Sequence, residues 1–276
     1  MEEVKRIEID DNSLAEISRF LSESFPKNEK FTKEFVRWQY AQNPLGQMEG
    51  FNAWLDGKII SHFAGLPIEM MMWGKKYKGL LCINVATNIH HRGKRLFTKL
   101  AQETIDYATA NNFDFMIAVP NANSTHGFLH HFGFYLVAPL NVKVGFGKKI
   151  FPTDQQANCY KSWSDSQWQW RLQSPTNSYT YDDQRKVVQS PISFFAKTIS
   201  SATLTDSIKK QSSKEIFRPL NLFIGLGAQT SKGLYFNLPK FVKRPPFNLV
   251  FKDLKNQLPK LKAEDIFLQL IDLDTI

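Results

Sequence analysis

The chain has 276 residues, 42% of them hydrophobic and 23 of them Phe, and a formal net charge of +9. That composition buries sizeable cores, which excludes disorder as the main state, and the length suits two domains of ordinary size. No run approaches the roughly 18 apolar residues of a membrane span, residues 1–5 lack a signal-peptide pattern, and Cys82 and Cys159 are too few for a disulfide framework or a cysteine metal site, so a soluble protein of a reducing cytoplasm is expected.

Residues 4–9 alternate as a strand. Ser13-Leu14-Ala15-Glu16 has the form of a capping box, and Leu14, Ile17, Leu21 and Phe25 follow at helical spacing. A second helix is predicted over 32–42, stopped by Asn43-Pro44. Asp56-Gly57 between two apolar runs marks a hairpin, and a second strand pair turns near Gly74-Lys75 into 80–87. A helix over about 98–112, a buried strand over 113–119, a short helix from Ser124 to His131 and strands over 134–137 and 142–146 complete the first half. This order predicts an α/β layout with a mixed α+β sheet rather than regular βαβ winding.

Near residue 150 the pattern restarts. Trp170 to Pro175 echoes Trp38 to Pro44 with the spacing one residue shorter, the mark of a degenerate repeat. Runs at 220–226, 247–251 and 266–273 read as strands, so domains are expected over 1–150 and 151–276. Residues 1–145 carry 16 Lys and Arg against 15 Asp and Glu, whereas 146–276 carry 19 against 11. The basic second half suits an anionic small-molecule acceptor, or is simply a solvated basic surface. No basic cluster interleaved with aromatics marks a nucleic-acid platform, and no nucleic-acid partner is expected.

The segment Asn84-Val85-Ala86-Thr87-Asn88-Ile89-His90-His91-Arg92-Gly93-Lys94-Arg95-Leu96-Phe97 carries the chemistry. A strand ends, a glycine-containing turn follows, and an apolar helix begins. Free N–H groups at a helix N-terminus favour an anion, Gly93 lets a phosphate approach the backbone, and Arg92, Lys94 and Arg95 add charge-assisted partners. By itself the loop also reads as a plain strand-to-helix connection, since neither GxGxxG nor the Walker pattern is present.

With its flanks, this segment resembles the GNAT N-acetyltransferase superfamily. The turn looks like that family's pyrophosphate loop, and Asn121-Ala122-Asn123-Ser124, Phe128 and Phe132-Gly133-Phe134 look like its Asn…Gly-Phe block. Trp38…Asn43-Pro44 resembles the acceptor-side helices of a larger subgroup with a second GNAT-like half. The resemblance implies a GNAT-like acyl-CoA N-acyltransferase fold of two such halves, acetyl-CoA as co-substrate, no metal, and direct acetyl transfer to an amine. It implies that the backbone of Val85 and Thr87 pairs with the pantetheine arm as an added strand and that an N–H near Thr87 polarises the thioester carbonyl. Asn123 would bond the pantetheine, and Arg92, Gly93, Lys94, Arg95 and Leu96 would hold the pyrophosphate. The sequence departs from the family at His90, where Gln or Arg is usual, at Arg95, where Gly or Ala is usual, and at Leu129, where many members place an acidic Tyr.

With that Tyr absent, His130 and His126 become the candidates for acid and base, with His131 beside them, because histidine titrates near neutrality. They read equally as surface residues. Trp38 and Tyr40 are candidates to line an acceptor pocket or to pack in the core. Asp272 and Asp274 read as solvated residues or as a base reaching back. Gly225-Leu226-Gly227 leads into 228–233 without a clear helix, so no second cofactor site is expected, and the second half is read as the acceptor wall. Two other classes stand beside the acetyltransferase: a Fem-type aminoacyl-tRNA-dependent transferase and a catalytically silent CoA-binding module.

Overall fold

Asp10, not Ser13, starts the first helix. In the computed structural model, which describes residues 2–146, 157–209, 218–227, 234–238 and 247–273, the Asp10 carboxylate accepts from the N–H groups of Asn12 and Ser13. Glu16 therefore does not close a capping box. It takes Arg19 and the Ile59 N–H (2.9 Å) instead, tying the helix to a strand.

The elements in chain order are β1 (Glu3–Arg6), α1 (Asp11–Ser24), α2 (Lys33–Ala41), β2 (Glu49–Leu55), β3 (Lys58–Met72), β4 (Lys75–Thr87), a 3-10 turn (Ile89–His91), α3 (Leu96–Ala110), β5 (Phe115–Ala118), α4 (Ala122–His131), β6 (Tyr135–Pro139) and β7 (Asn141–Phe146). They continue with β8 (Cys159–Lys161), α5 (Asp165–Leu172), β9 (Thr180–Asp182), β10 (Val187–Pro191), β11 (Ala196–Ser201), α6 (Asp206–Lys209), β12 (Leu220–Leu226), β13 (Tyr235–Asn237), β14 (Asn248–Asp253), β15 (Ile266–Gln269) and α7 (Leu270–Leu273). The layout is the expected α/β one with a mixed sheet. No described helix is long and apolar enough to cross a membrane.

The chain forms two compact units. The first comprises residues up to 69, 77–136 and 250–259; the second comprises 70–76, 137–249 and 260 onward. The boundary expected near 150 falls in 147–156, outside the described residues.

In the first unit the strands run β1-β2-β3-β4-β5-β14. β4 and β5 are parallel and the late strand β14 pairs antiparallel with β5, from Val250↔Ala118 to Asp253↔Phe115. The run at 247–251 thus belongs to a strand whose residues from Val250 on complete the first unit. Leu96, Leu100, Ala101, Ile105 and Ala108 of α3 recur at helical spacing and bury against Phe63, Leu80 and Met116 of the sheet. Each such Leu or Phe contributes roughly 1.5–3 kcal/mol. On β4, Gly79 lies opposite Phe115 of β5 and makes room for its ring, since a Cβ there would fall 2.4 Å from it. The hairpin at Asp56-Gly57 forms as expected, with φ of 49° and 75°.

In the second unit β12 pairs antiparallel with β7 and β15 and parallel with β11, β9-β10-β11 form a meander, and β15 runs parallel to β8. The Trp-to-Pro echo has a structural counterpart: α2 and α5 both end within three residues of the echoed proline, capped by Gln42 and Gln173, with Trp38 and Trp170 buried. The run at 266–273 is a strand only to Gln269 and then turns helical, because the Asp272 carboxylate accepts the Gln269 N–H (2.7 Å) as a cap. Asp272 is accordingly buried, not solvated. Asp274 lies outside the described residues.

Candidate functional site

The site is built where β4 leaves β5. Their parallel register runs from Gly79↔Phe115 to Cys82↔Ala118 and stops, while β4 continues to Thr87. Two residues past Cys82, Asn84 takes φ +54°, a left-handed conformation that Asn tolerates better than most residues. Beyond it the Asn88 N–H donates to the Ile60 carbonyl (2.9 Å) and the Ala86 carbonyl accepts from Ser61 Oγ (3.2 Å), so 86 and 88 face β3. Strand alternation turns the peptide groups of Val85 and Thr87 to the other edge, where the β5 pairing has ended. Arg92 Nε reaches back to the Thr87 carbonyl at 3.4 Å.

A largely buried polar chain holds Asn84 in this conformation. Asn84 Nδ2 donates to Gln39 Oε1 (2.6 Å) and to Tyr40 Oη (3.0 Å), Tyr40 Oη meets His62 Nε2 (2.8 Å), and His62 Nδ1 meets Asn52 Oδ1 (2.5 Å). With the Asn52 oxygen facing it, Nδ1 carries the proton, Nε2 accepts from the Tyr40 hydroxyl, and every donor in the chain points the same way. Burial lowers the His62 pKa to about 3, so the ring is neutral. Gln39, Tyr40, Asn52 and His62 are all buried.

The turn after β4 has the shape that sequence spacing suggested. Asn88 caps the 3-10 turn through the His90 N–H, Arg92 is extended, Gly93 has φ +82°, and Arg95 has φ +57° at the N-cap of α3 without a side-chain cap. The first N–H groups of α3 are therefore left for an anion. A Cβ on Gly93 would meet nothing within 4 Å, so its open face is solvent, and Arg92, Lys94 and Arg95 are exposed around it. Leu96, by contrast, is buried as the first core residue of α3, so its side chain anchors the turn.

A cleft of about 740 Å³ opens along this edge, lined by Val85, Thr87, Arg92, Phe97, Asn121 and Ser124 on one side and by 23–26, at the end of α1, on the other. Asn121 Oδ1 accepts from the N–H and Oγ of Ser124, fixing the start of α4 at the rim. The Asn123 side chain lies outside the described residues.

His126 and His130 are exposed, their rings 4.3 Å apart with His131 beside them, and none of the three lines the cleft; α4 turns them to solvent, so their reading as acid and base loses its geometric basis. Trp38 packs against Phe35 in the core and Tyr40 is fully buried, so neither lines the cleft. Tyr40 instead sits inside the polar chain, between Asn84 and His62. Leu129 packs on the core, and burial pushes the Cys82 thiol far up, leaving it no nucleophile. Sequence reasoning missed Gln39, Asn52, His62 and Asn84. The signal was the polar Ser61-His62 pair inside the apolar run 59–68 of β3, and Asn84 interrupting the apolar run 80–86 of β4. Among the described residues, no group of three His, Cys, Asp or Glu is placed to hold a metal ion.

Comparison with known proteins meets this geometry. The model of the acetyltransferase (GNAT) domain family matches residues 5–137. No curated protein matches the sequence. Among solved structures, a protein from Enterococcus faecalis V583 described as a probable N-acyltransferase is similar at a TM-score of 0.63 and 12% identity over 92% of this chain and 73% of that one. A GCN5-related N-acetyltransferase from Anabaena variabilis ATCC 29413 follows at 0.61 and 11%, over 91% and 73%, and one from Kribbella flavida at 0.59 and 10%, over 91% and 72%. At such identities the likeness is one of fold.

Proposed function

The chain belongs to the GNAT superfamily through the domain at 5–137, an acyltransferase family, and from that premise we propose that it transfers acetyl from acetyl-CoA to an amine of a small molecule. The observation that carries this reading is the edge of β4 at Val85 and Thr87, beyond the last residue paired with β5, which leads through the 3-10 turn at Ile89–His91 to the turn at 92–95 and to the start of α3, which has no side-chain cap. An extended thioester arm fits such an edge as an added strand, and a pyrophosphate fits a positive-φ glycine turn ringed by cations. In transfer, the acceptor nitrogen attacks the thioester carbonyl carbon, the C–S bond breaks, the thiolate takes up a proton and the nitrogen loses one. A Thr87-side N–H on the free edge is a preorganised donor for the developing oxyanion. The positive balance of residues 146–276 favours an acceptor that also carries negative charge.

Leu129 favours a second reading, a CoA-binding module without turnover, because its aliphatic side chain offers no proton where many relatives carry a Tyr. One experiment separates the two. Acetyl-CoA is expected to raise the melting temperature in both cases, whereas thiol release in an amine-acceptor screen occurs only for a transferase. Stabilisation without thiol release from any acceptor would leave the silent module, and no stabilisation would remove both.

A further inference from the structure

The second unit contains a cavity of about 360 Å³ whose wall includes Lys161, Trp163, Trp168, Ser201, Gln269 and Asp272. Its two charged side chains are nearly inaccessible, Lys161 at 6% and Asp272 at 4% exposure. Side chains of these types are seldom so buried unless their surroundings hold them. Trp163 organises both. Lys161 Nζ lies 3.4 Å over its ring centroid, and its Nε1–H donates to Asp272 Oδ1 at 2.7 Å. Asp272 Oδ2 takes the Gln269 N–H, also at 2.7 Å, so each carboxylate oxygen is fixed by one donor and keeps a second lone pair.

The surroundings are rigid. Trp163 stacks on Trp168 at 4.3 Å and 18°, and Trp168 belongs to the buried cluster with Val188, Leu204 and Ile271. The Gln269 side chain is clamped to the Ser201 backbone through both its oxygen (2.5 Å) and its nitrogen (3.1 Å). Stability alone gives little reason for this arrangement, since buried ion pairs stabilise no better than well-packed apolar residues of the same volume. Opposite charges held in fixed positions at the wall of a cavity that a small molecule can occupy are what a binding site requires.

We propose that this cavity binds a compact zwitterion of the α-amino-acid class, its carboxylate set against Lys161 and its ammonium against Asp272. A simple anion would lie against Asp272 and a simple cation against Lys161, whereas a zwitterion complements both signs at once. The volume sits near the lower end of ligand pockets, about 300 Å³, and a small amino acid fits within it. Ser162, Ser201 and Thr203 at the same wall suit a polar ligand. The inference stands on the second unit alone and is independent of acetyl transfer.

The test is a calorimetric and tryptophan-fluorescence titration of the full chain with glycine, L-alanine and L-serine, alongside propionate and ethylamine, which each carry one of the two charges. Saturable binding of at least one amino acid with a Kd below about 1 mM, and at least about tenfold weaker binding of both single-charge analogues, is expected. The substitutions Lys161→Met and Asp272→Asn, in protein whose melting transition remains cooperative, should each weaken amino-acid binding by at least about tenfold. The proposal is overturned if no amino acid binds, if propionate or ethylamine binds as tightly, or if both folded variants bind as the wild type does. Should neither variant fold, the wild-type panel decides by itself.

Discussion

The two units place their charges in opposite ways. Among the described residues, the first unit buries no Lys, Arg, Asp or Glu; its interior polar chain of Gln39, Tyr40, Asn52 and neutral His62 carries no charge, and its cations at 92–95 stand in solvent. The second unit buries Lys161, Arg171, Lys197 and Asp272. Under the two proposals made above, the difference corresponds to two kinds of recognition. A diphosphate is large and diffuse, and backbone N–H groups with solvated cations can follow it at low desolvation cost. A small charged ligand needs a few groups fixed beforehand in a dry wall, and the cost of their burial is borne by the surrounding packing.

Reversing the loop charges should have the largest effect. Arg92→Glu with Lys94→Glu is expected to weaken acetyl-CoA binding by about 100-fold or more, because two exposed donors become repulsive. It should leave the melting temperature nearly unchanged, since both side chains are solvated. A binding assay at two salt concentrations checks the electrostatic origin: the wild type should lose affinity with salt and the variant should lose much less. Equal loss in both would place the ligand elsewhere.

The neutral interior of the first unit is tested by acid. His62 titrates near 6.5 when unfolded and near 3 when folded, so the unfolded chain takes up the proton first. The stability this group contributes is complete above pH 6.5 and is lost as the pH falls toward 3, at about 1.4 kcal/mol per pH unit. Between pH 6.5 and 5, above the range where the carboxylates protonate, His62→Gln should flatten the fall in denaturant midpoint. A slope equal to that of the wild type would mean that His62 is charged or accessible in the fold.

The smallest effect is expected from the exposed histidines. His126→Ala and His130→Ala, singly or together, should change turnover by less than about twofold, as surface substitutions away from a site do. A tenfold fall with unchanged acetyl-CoA affinity would return them to the chemistry and imply that α4 moves.

Much of the first unit could be read from its residues. Asp56-Gly57 and Gly74 mark turns because they accept positive φ, and Gly93 followed by basic residues marks a turn that an anion can approach. What escaped was decided by contacts remote in sequence. Ser13…Glu16 obeys the capping-box pattern, yet Asp10 competes better and Glu16 is drawn to Ile59, 43 residues away. Asp272 looks like a solvated chain-end residue until Trp163, 109 residues earlier, donates to it. Ser61-His62 and Asn84 are polar residues within the apolar stretches of their strands, and only the fold shows that Tyr40 lies between His62 and Asn84. The three histidines of α4 could not be placed from sequence for the converse reason. Their spacing is helical and their chemistry apt, but which face of a ten-residue helix meets the cleft depends on how Phe128 and Phe132 pack.

The measurement closest to the central claim is titration calorimetry of the full chain with acetyl-CoA, wild type against Gly93→Val. The glycine sits at φ +82° with open space where a side chain would go, so valine costs roughly 1–3 kcal/mol of local strain without striking the fold, and it projects where the pyrophosphate should lie. One site per chain, weakened by more than about tenfold in a variant that still melts cooperatively, is the predicted result. Unchanged affinity in folded Gly93→Val, or two sites of similar strength in the wild type, would contradict it.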